Sequence, residues 1–154
     1  MDAPHSKNLL FIQSLVLFGG TIFAWSKLLP QIDTFQTLYG TLFRFNDLAV
    51  PNPLLTACLY GSTAFLVVLF WSVLVVQRPG YGSQRMLRNA LLFCVVFAAS
   101  VVASEAVEYY KLFDSAISVT CSPGVPPTQT PCFYGMLFFI AAFITSVYAT
   151  RRLK

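Results

Sequence analysis

Charge is scarce in this chain. Only 10% of its 154 residues are Asp, Glu, Lys or Arg, while 56% are hydrophobic. Ordinary soluble domains carry about 25% charged residues. A soluble fold of this size has nowhere to hide so much apolar surface, so a single integral membrane domain over 1–154 is expected. The same figures exclude disorder, because disordered chains are poor in apolar residues.

Histidine is nearly absent. His5, in the N-terminal tail, is the only one. A bis-histidine haem, a histidine-rich metal centre and a Ser/His/Asp triad all lack support, so no metal is expected. The chain has no G-x-x-x-x-G-K-[ST] loop and no G-x-G-x-x-G fingerprint. Phosphate- and dinucleotide-binding classes fall away with them. The net charge of +4 does not imply nucleic acid. Its basic residues lie between apolar segments, not in a patch interleaved with aromatics. Nor is there a midplane charge or a broken helix of the kind that marks secondary transporters.

What the chain has in quantity is apolar length. A membrane span needs about 20 mostly apolar residues. Four segments meet this, at about 9–25, 54–76, 87–110 and 132–150. Ala24-Trp25-Ser26 is a weak signal-cleavage mimic behind a single Lys, so the first span is expected to be retained. Placing both termini and the 77–88 loop on one side gathers Lys7, Arg78, Arg85, Arg88, Arg151, Arg152 and Lys154 there against Asp2. The other side then holds Lys27, Arg44 and Lys111 against Asp33, Asp47, Glu105, Glu108 and Asp114. Positive loops stay inside, so both termini are expected in the cytoplasm, in a bacterial-type inner membrane or a plasma membrane. The first outer loop, "QIDTFQTLYGTLFRF", repeats Ile32, Phe35, Tyr39, Leu42 and Phe43 at helical spacing. It predicts a short amphipathic helix lying on the outer leaflet.

A repeat lies at the two outer helix starts. Between 53–73 and 127–147, at a shift of 74, eight of 21 positions match, including Thr56/Thr130, Cys58/Cys132, Tyr60/Tyr134, Gly61/Gly135, Phe65/Phe139 and Ser72/Ser146. The expected architecture is an all-α, four-transmembrane-helix bundle of two parallel-repeat helical hairpins. Most of the motif has a structural reason. Thr56 and Thr130 suit N-caps, Tyr60 and Tyr134 suit the interfacial aromatic belt, and Gly61 and Gly135 suit close helix contact.

The cysteines lack such a reason. Cys94 reads as a small core residue of the third span. Cys58, Cys121 and Cys132 all fall on the outer side, which is oxidising if periplasmic or extracellular. Cys121 and Cys132 flank the proline-rich "SPGVPPTQTP", and a disulfide between them is expected to staple that loop. Cys58 is then left over, placed to exchange with the pair. In the third span Glu105 and Glu108 share a face, and an intramembrane ion pair of Glu105 with Lys27 is expected. Ala99, Ala103 and Ala106 with Ser100 and Ser104 add a small-residue surface suited to close helix packing.

Three functions follow. In the absence of any catalytic constellation, the first is a non-catalytic accessory or structural subunit that packs on lipid and on other membrane subunits, with no cofactor. The alternative is a membrane thiol–disulfide oxidoreductase working through Cys58, Cys121 and Cys132 with a lipid-soluble quinone as acceptor. In outline it resembles the small four-helix membrane enzymes of the disulfide-bond-forming and vitamin K epoxide reductase type. Those families carry Cys-x-x-Cys at a helix start, whereas "CLYG" and "CFYG" here place Gly at the second position. A lipid- or pigment-associated packing role, resting on the 15 Phe and 7 Tyr alone, is a third.

Overall fold

The computed structural model describes residues 3–45, 52–112 and 124–153, and among these it is entirely helical. Four long helices follow in order: α1 (Ala3–Tyr39), α2 (Ala57–Gln77), α3 (Tyr81–Tyr109) and α4 (Pro131–Arg152). All four are long and apolar enough to cross a membrane. In their most apolar stretches only 17–28% of residues are buried inside the bundle. Phe11, Leu15 and Phe18 on α1, Val67 and Phe70 on α2, and Phe93 and Val96 on α3 are all exposed. Helices apolar on every side, with large side chains turned outward, fit a lipid solvent.

The interior has the complementary character. Beside Leu17, Phe65, Val68, Leu87, Leu91 and Phe139, the buried set includes Gln13, Ser62, Ser72, Gln84, Glu105, Thr130 and Ser146. Polar groups that lipid cannot satisfy are turned inward, where they meet one another. Ser14, early in α1, hydrogen-bonds Ser72, late in α2, at 2.7 Å. Gln84, in the first turns of α3, donates through Nε2 to Gln13 Oε1 at 2.8 Å and to Ser146 Oγ, late in α4, at 2.9 Å. Early-to-late pairing of this kind runs neighbouring helices antiparallel. The helices form a ring in chain order, with α2 and α4 meeting across its centre.

That central meeting is made by Phe65 and Phe139, whose rings stack at 3.9 Å with 7° between their planes. Gly20 of α1 makes room for it. A Cβ there would stand 2.5 Å from the Phe65 ring and 3.1 Å from Phe138 Cβ, so only glycine lets α1 approach α2 and α4 so closely. Gly61, expected to serve the same purpose, does not. A Cβ at Gly61 meets nothing within 4 Å, because the glycine faces a cavity, not a neighbouring backbone.

The expected separate amphipathic helix is also corrected. α1 runs on without interruption to Tyr39, with Pro30 inside it. At 37 residues it is about 55 Å long, far beyond the roughly 30 Å of a hydrocarbon core. Residues 31–39 continue α1, with Phe35 fully buried. The helix stops at Gly40, whose φ of 69° closes the last turn with Gly40 N–H donating to Gln36 O at 2.8 Å. The helix thus runs on past the expected end of the first span near residue 25, and glycine stops it before Leu42 and Phe43, which were expected to be helical.

Candidate functional site

The end of the bundle opposite the two termini carries the repeated motif. We call it the capped end. Both helices that start there are entered through the same local structure. Pro53–Leu55 and Pro127–Gln129 each form a single 3₁₀ turn, and both leading prolines are buried. Thr56 Oγ1 donates to Pro53 O and Thr130 Oγ1 to Pro127 O, each at 2.9 Å. Proline fixes φ for the turn, and the threonine hydroxyl closes it before the helix begins. Asn52, buried before the first turn, accepts from Leu54 N and donates to Leu42 O and Arg44 O. This tie to the first loop was not anticipated from sequence.

The two starts then differ. Thr130 caps α4 as expected, accepting a hydrogen bond from Phe133 N at 3.3 Å. Thr56 makes no such cap. Thr130 Oγ1 also lies 2.7 Å from Glu105 Oε2, so its one hydroxyl proton is shared between that oxygen and Pro127 O. Glu105 is only 4% exposed, and its other oxygen, Oε1, is buried without a hydrogen-bond partner. The Cys132 thiol stands beside the same carboxyl group. The expected Glu105–Lys27 ion pair is thus not what holds either residue. Glu105 is engaged by Thr130 and neighboured by Cys132, while the Lys27 ammonium stands 5.9 Å from the centre of the Phe23 ring, at cation–π range.

The cysteine pairing is corrected as well. Cys132 is a thiol, so the expected Cys121–Cys132 disulfide is not formed; Cys58 is the disulfide-bonded cysteine. Cys121 itself lies outside the described residues. Closing the shortest loop favours the Cys121–Cys132 pairing by chain entropy, but burial of Cys132 against Glu105 at the helix start competes with it. Cys94 is a buried core residue of α3, as its place in the third span implies.

Two cavities flank this group. One, of about 50 Å³, is apolar and reaches all four helices. Lys27, Cys58, Gly61, Phe65, Cys132 and Gly135 are among its lining residues. The other, of about 270 Å³, is lined by Glu105, Glu108, Tyr109, Lys111, Gly124, Val125 and Thr130. Glu105 borders the polar cavity and touches the thiol that borders the apolar one. Of the residues singled out from sequence, Cys58, Cys132, Lys27 and Glu105 gather here. The link through Thr130 was missed.

No group of His, Cys, Asp and Glu among the described residues is arranged to hold a metal ion. Compared with known proteins, the chain matches no family model, no curated protein and no solved structure.

Proposed function

We propose that this chain is a membrane thiol–disulfide oxidoreductase whose working end is the capped end of the bundle. One observation carries the reading: a disulfide-bonded cysteine, Cys58, and a thiol, Cys132, line the same apolar cavity. Exchange needs a thiolate, a disulfide and room for one sulfur to reach the other. Cys94 and Cys132 being thiols, Cys121 is the cysteine of this chain left to pair with Cys58, and the proposal assigns it that place. The exchange step then balances. Cys132 sulfur attacks Cys58 sulfur, a Cys58–Cys132 bond forms, the original bond of Cys58 breaks, and its partner departs as a thiolate. In a full cycle a substrate dithiol gives up two electrons and two protons, and a lipid-soluble quinone takes up both. The charge bias of the loops orients the capped end outward, into an oxidising compartment.

In the same reading, the two hairpins are a parallel repeat. Equivalent residues do equivalent work in three layers: the threonine-closed 3₁₀ turns, the Phe65–Phe139 stack, and Ser72 and Ser146 each hydrogen-bonded to a preceding helix. Duplication would supply two cysteines at one level of the bundle.

The test is peptide mapping by mass spectrometry of the full chain in membranes, alkylated without reduction. Expected are two disulfide species of equal oxidation level, Cys58–Cys121 and Cys58–Cys132, whose ratio is set by their relative stability while the thiol/disulfide poise of the buffer sets only their sum. Finding Cys132 outside every disulfide at every poise defeats the reading.

The accessory-subunit reading keeps one observation of its own. Ala99, Ser100 and Ala103 are exposed on the outer face of α3, a small-residue surface left uncovered within the chain. Stable co-purification with a second membrane chain, lost on replacing Ala99 and Ala103 by Leu, is its measurement.

A further inference from the structure

We propose that the end of the bundle that carries both termini is a seat for an anionic phospholipid whose headgroup bears two phosphates. The inference is independent of the exchange reading, which concerns the opposite end.

Lys7 of α1, Arg78 at the end of α2, Arg85 and Arg88 of α3, and Arg151 and Arg152 of α4 all belong to this end. Hydrogen bonds set them at one level. Gln84 joins Gln13 to Ser146, and Ser14 joins Ser72, so the four helices share a polar layer. At 1.5 Å per residue, each of the six cations lies within about 9 Å of that layer along its own helix. Five are exposed, and Arg88 is half-buried with its Nη2 toward the neighbouring Asn89 Oδ1 at 3.4 Å. A single acidic residue, Asp2, stands against them in the segments that form this end.

Charge, residue type and surroundings select the occupant. Like charges gathered on one face repel, and a multivalent anion relieves that repulsion best. Two phosphates on one molecule bind as a linked pair, because the first contact holds the second at high effective concentration. Orienting a membrane chain needs only positive charge, which lysine supplies as well as arginine. Five of these six cations are arginine, whose planar fork matches a phosphate through two parallel hydrogen bonds. The surroundings are those of a lipid. Tyr81 and Tyr148 are exposed beside the patch, as phenols at headgroup level are, and Leu74 and Met86 offer exposed apolar surface to acyl chains. Basic clusters at the ends of membrane helices recognise anionic headgroups by this combination of terms.

The experiment places the full chain in vesicles of dioleoyl phosphatidylcholine that contain a minor fraction of tetraoleoyl cardiolipin, with two phosphates, or of dioleoyl phosphatidylglycerol, with one. Lipid retained on the protein after detergent extraction is counted by native mass spectrometry. Cardiolipin should be retained over phosphatidylglycerol by about tenfold or more. The triple variant Arg85→Gln, Arg151→Gln, Arg152→Gln removes three cations, each worth roughly fivefold, and should lower cardiolipin retention about 100-fold. Lysine at the same three positions keeps the charge that orients the chain, and its retention should fall between. A wild-type protein without preference for cardiolipin overturns the assignment. So does a glutamine variant that retains cardiolipin within about twofold of wild type. If the glutamine variant does not insert, the lysine variant decides, and retention equal to wild type means that the arginine forks do not hold the headgroup. If inorganic diphosphate at equal concentration displaces the cardiolipin, the occupant is a soluble anion and the lipid assignment falls.

Discussion

The two helix starts at the capped end share a design and differ in one partner. The Thr56 hydroxyl closes the turn before α2; the Thr130 hydroxyl closes the turn before α4, caps the helix, and lies against a buried carboxyl group. The cysteine two residues later is disulfide-bonded in the first start and a thiol beside Glu105 in the second. The comparison teaches that the repeated residues build the helix entrance, while the unrepeated Glu105 is where the two entrances differ.

The harshest way to break the comparison is to remove what the two halves share at the centre. Phe65 and Phe139 occupy equivalent positions and stack on each other, so Phe65→Ala and Phe139→Ala should destabilise the bundle by similar amounts, about 3 kcal/mol each. Thermal unfolding in detergent measures this. Markedly unequal losses would show that the pair is not the common keystone of both hairpins.

Gly20 comes next, because it serves that stack from outside the repeat. A methyl group there must displace the Phe65 ring, and Gly20→Ala should cost about 1–3 kcal/mol by the same measurement. Wild-type stability for this variant would mean that α1 has freedom to retreat.

These two cases also show what could be read from the chain and what could not. Spans two, three and four were legible because apolar length is a local property, and Cys94 because its setting is uniformly apolar. The repeat was legible because identities at one shift survive without any structure. The end of α1 was not. Pro30 removes only its own N–H and so frees one carbonyl, that of Ser26, which is not enough to end the helix. Partner choice was least legible. Glu105 could be matched with Lys27 by depth alone, yet depth does not say which helix faces which. The cysteine pairing failed for the same reason, since sequence separation ranks loop entropy and is silent on burial.

Threonine tests the difference between the starts more finely. Thr130→Val loses a cap and a bond to a carboxylate, whereas Thr56→Val loses only the hydroxyl that closes its turn. The first should cost about 2 kcal/mol and the second about 1. Equal costs would say that the Glu105 contact adds nothing to folding.

The smallest expected effect is the most discriminating. Gly61→Ala adds a methyl group that meets no atom within 4 Å, in a helix where alanine is favoured over glycine by about 1 kcal/mol. Stability should therefore hold or rise slightly. The same methyl group intrudes on the small cavity shared by Cys58 and Cys132. If that space is what lets one sulfur reach the other, the variant folds as well as wild type and forms the Cys58–Cys132 species more slowly. Gly135 lines the same cavity, so Gly135→Ala, whose new Cβ would make ordinary contact with Phe65 at 3.7 Å, should act in the same direction. A stable Gly61→Ala protein that exchanges at the wild-type rate would remove the cavity from the mechanism and leave it as a packing gap between four helix ends.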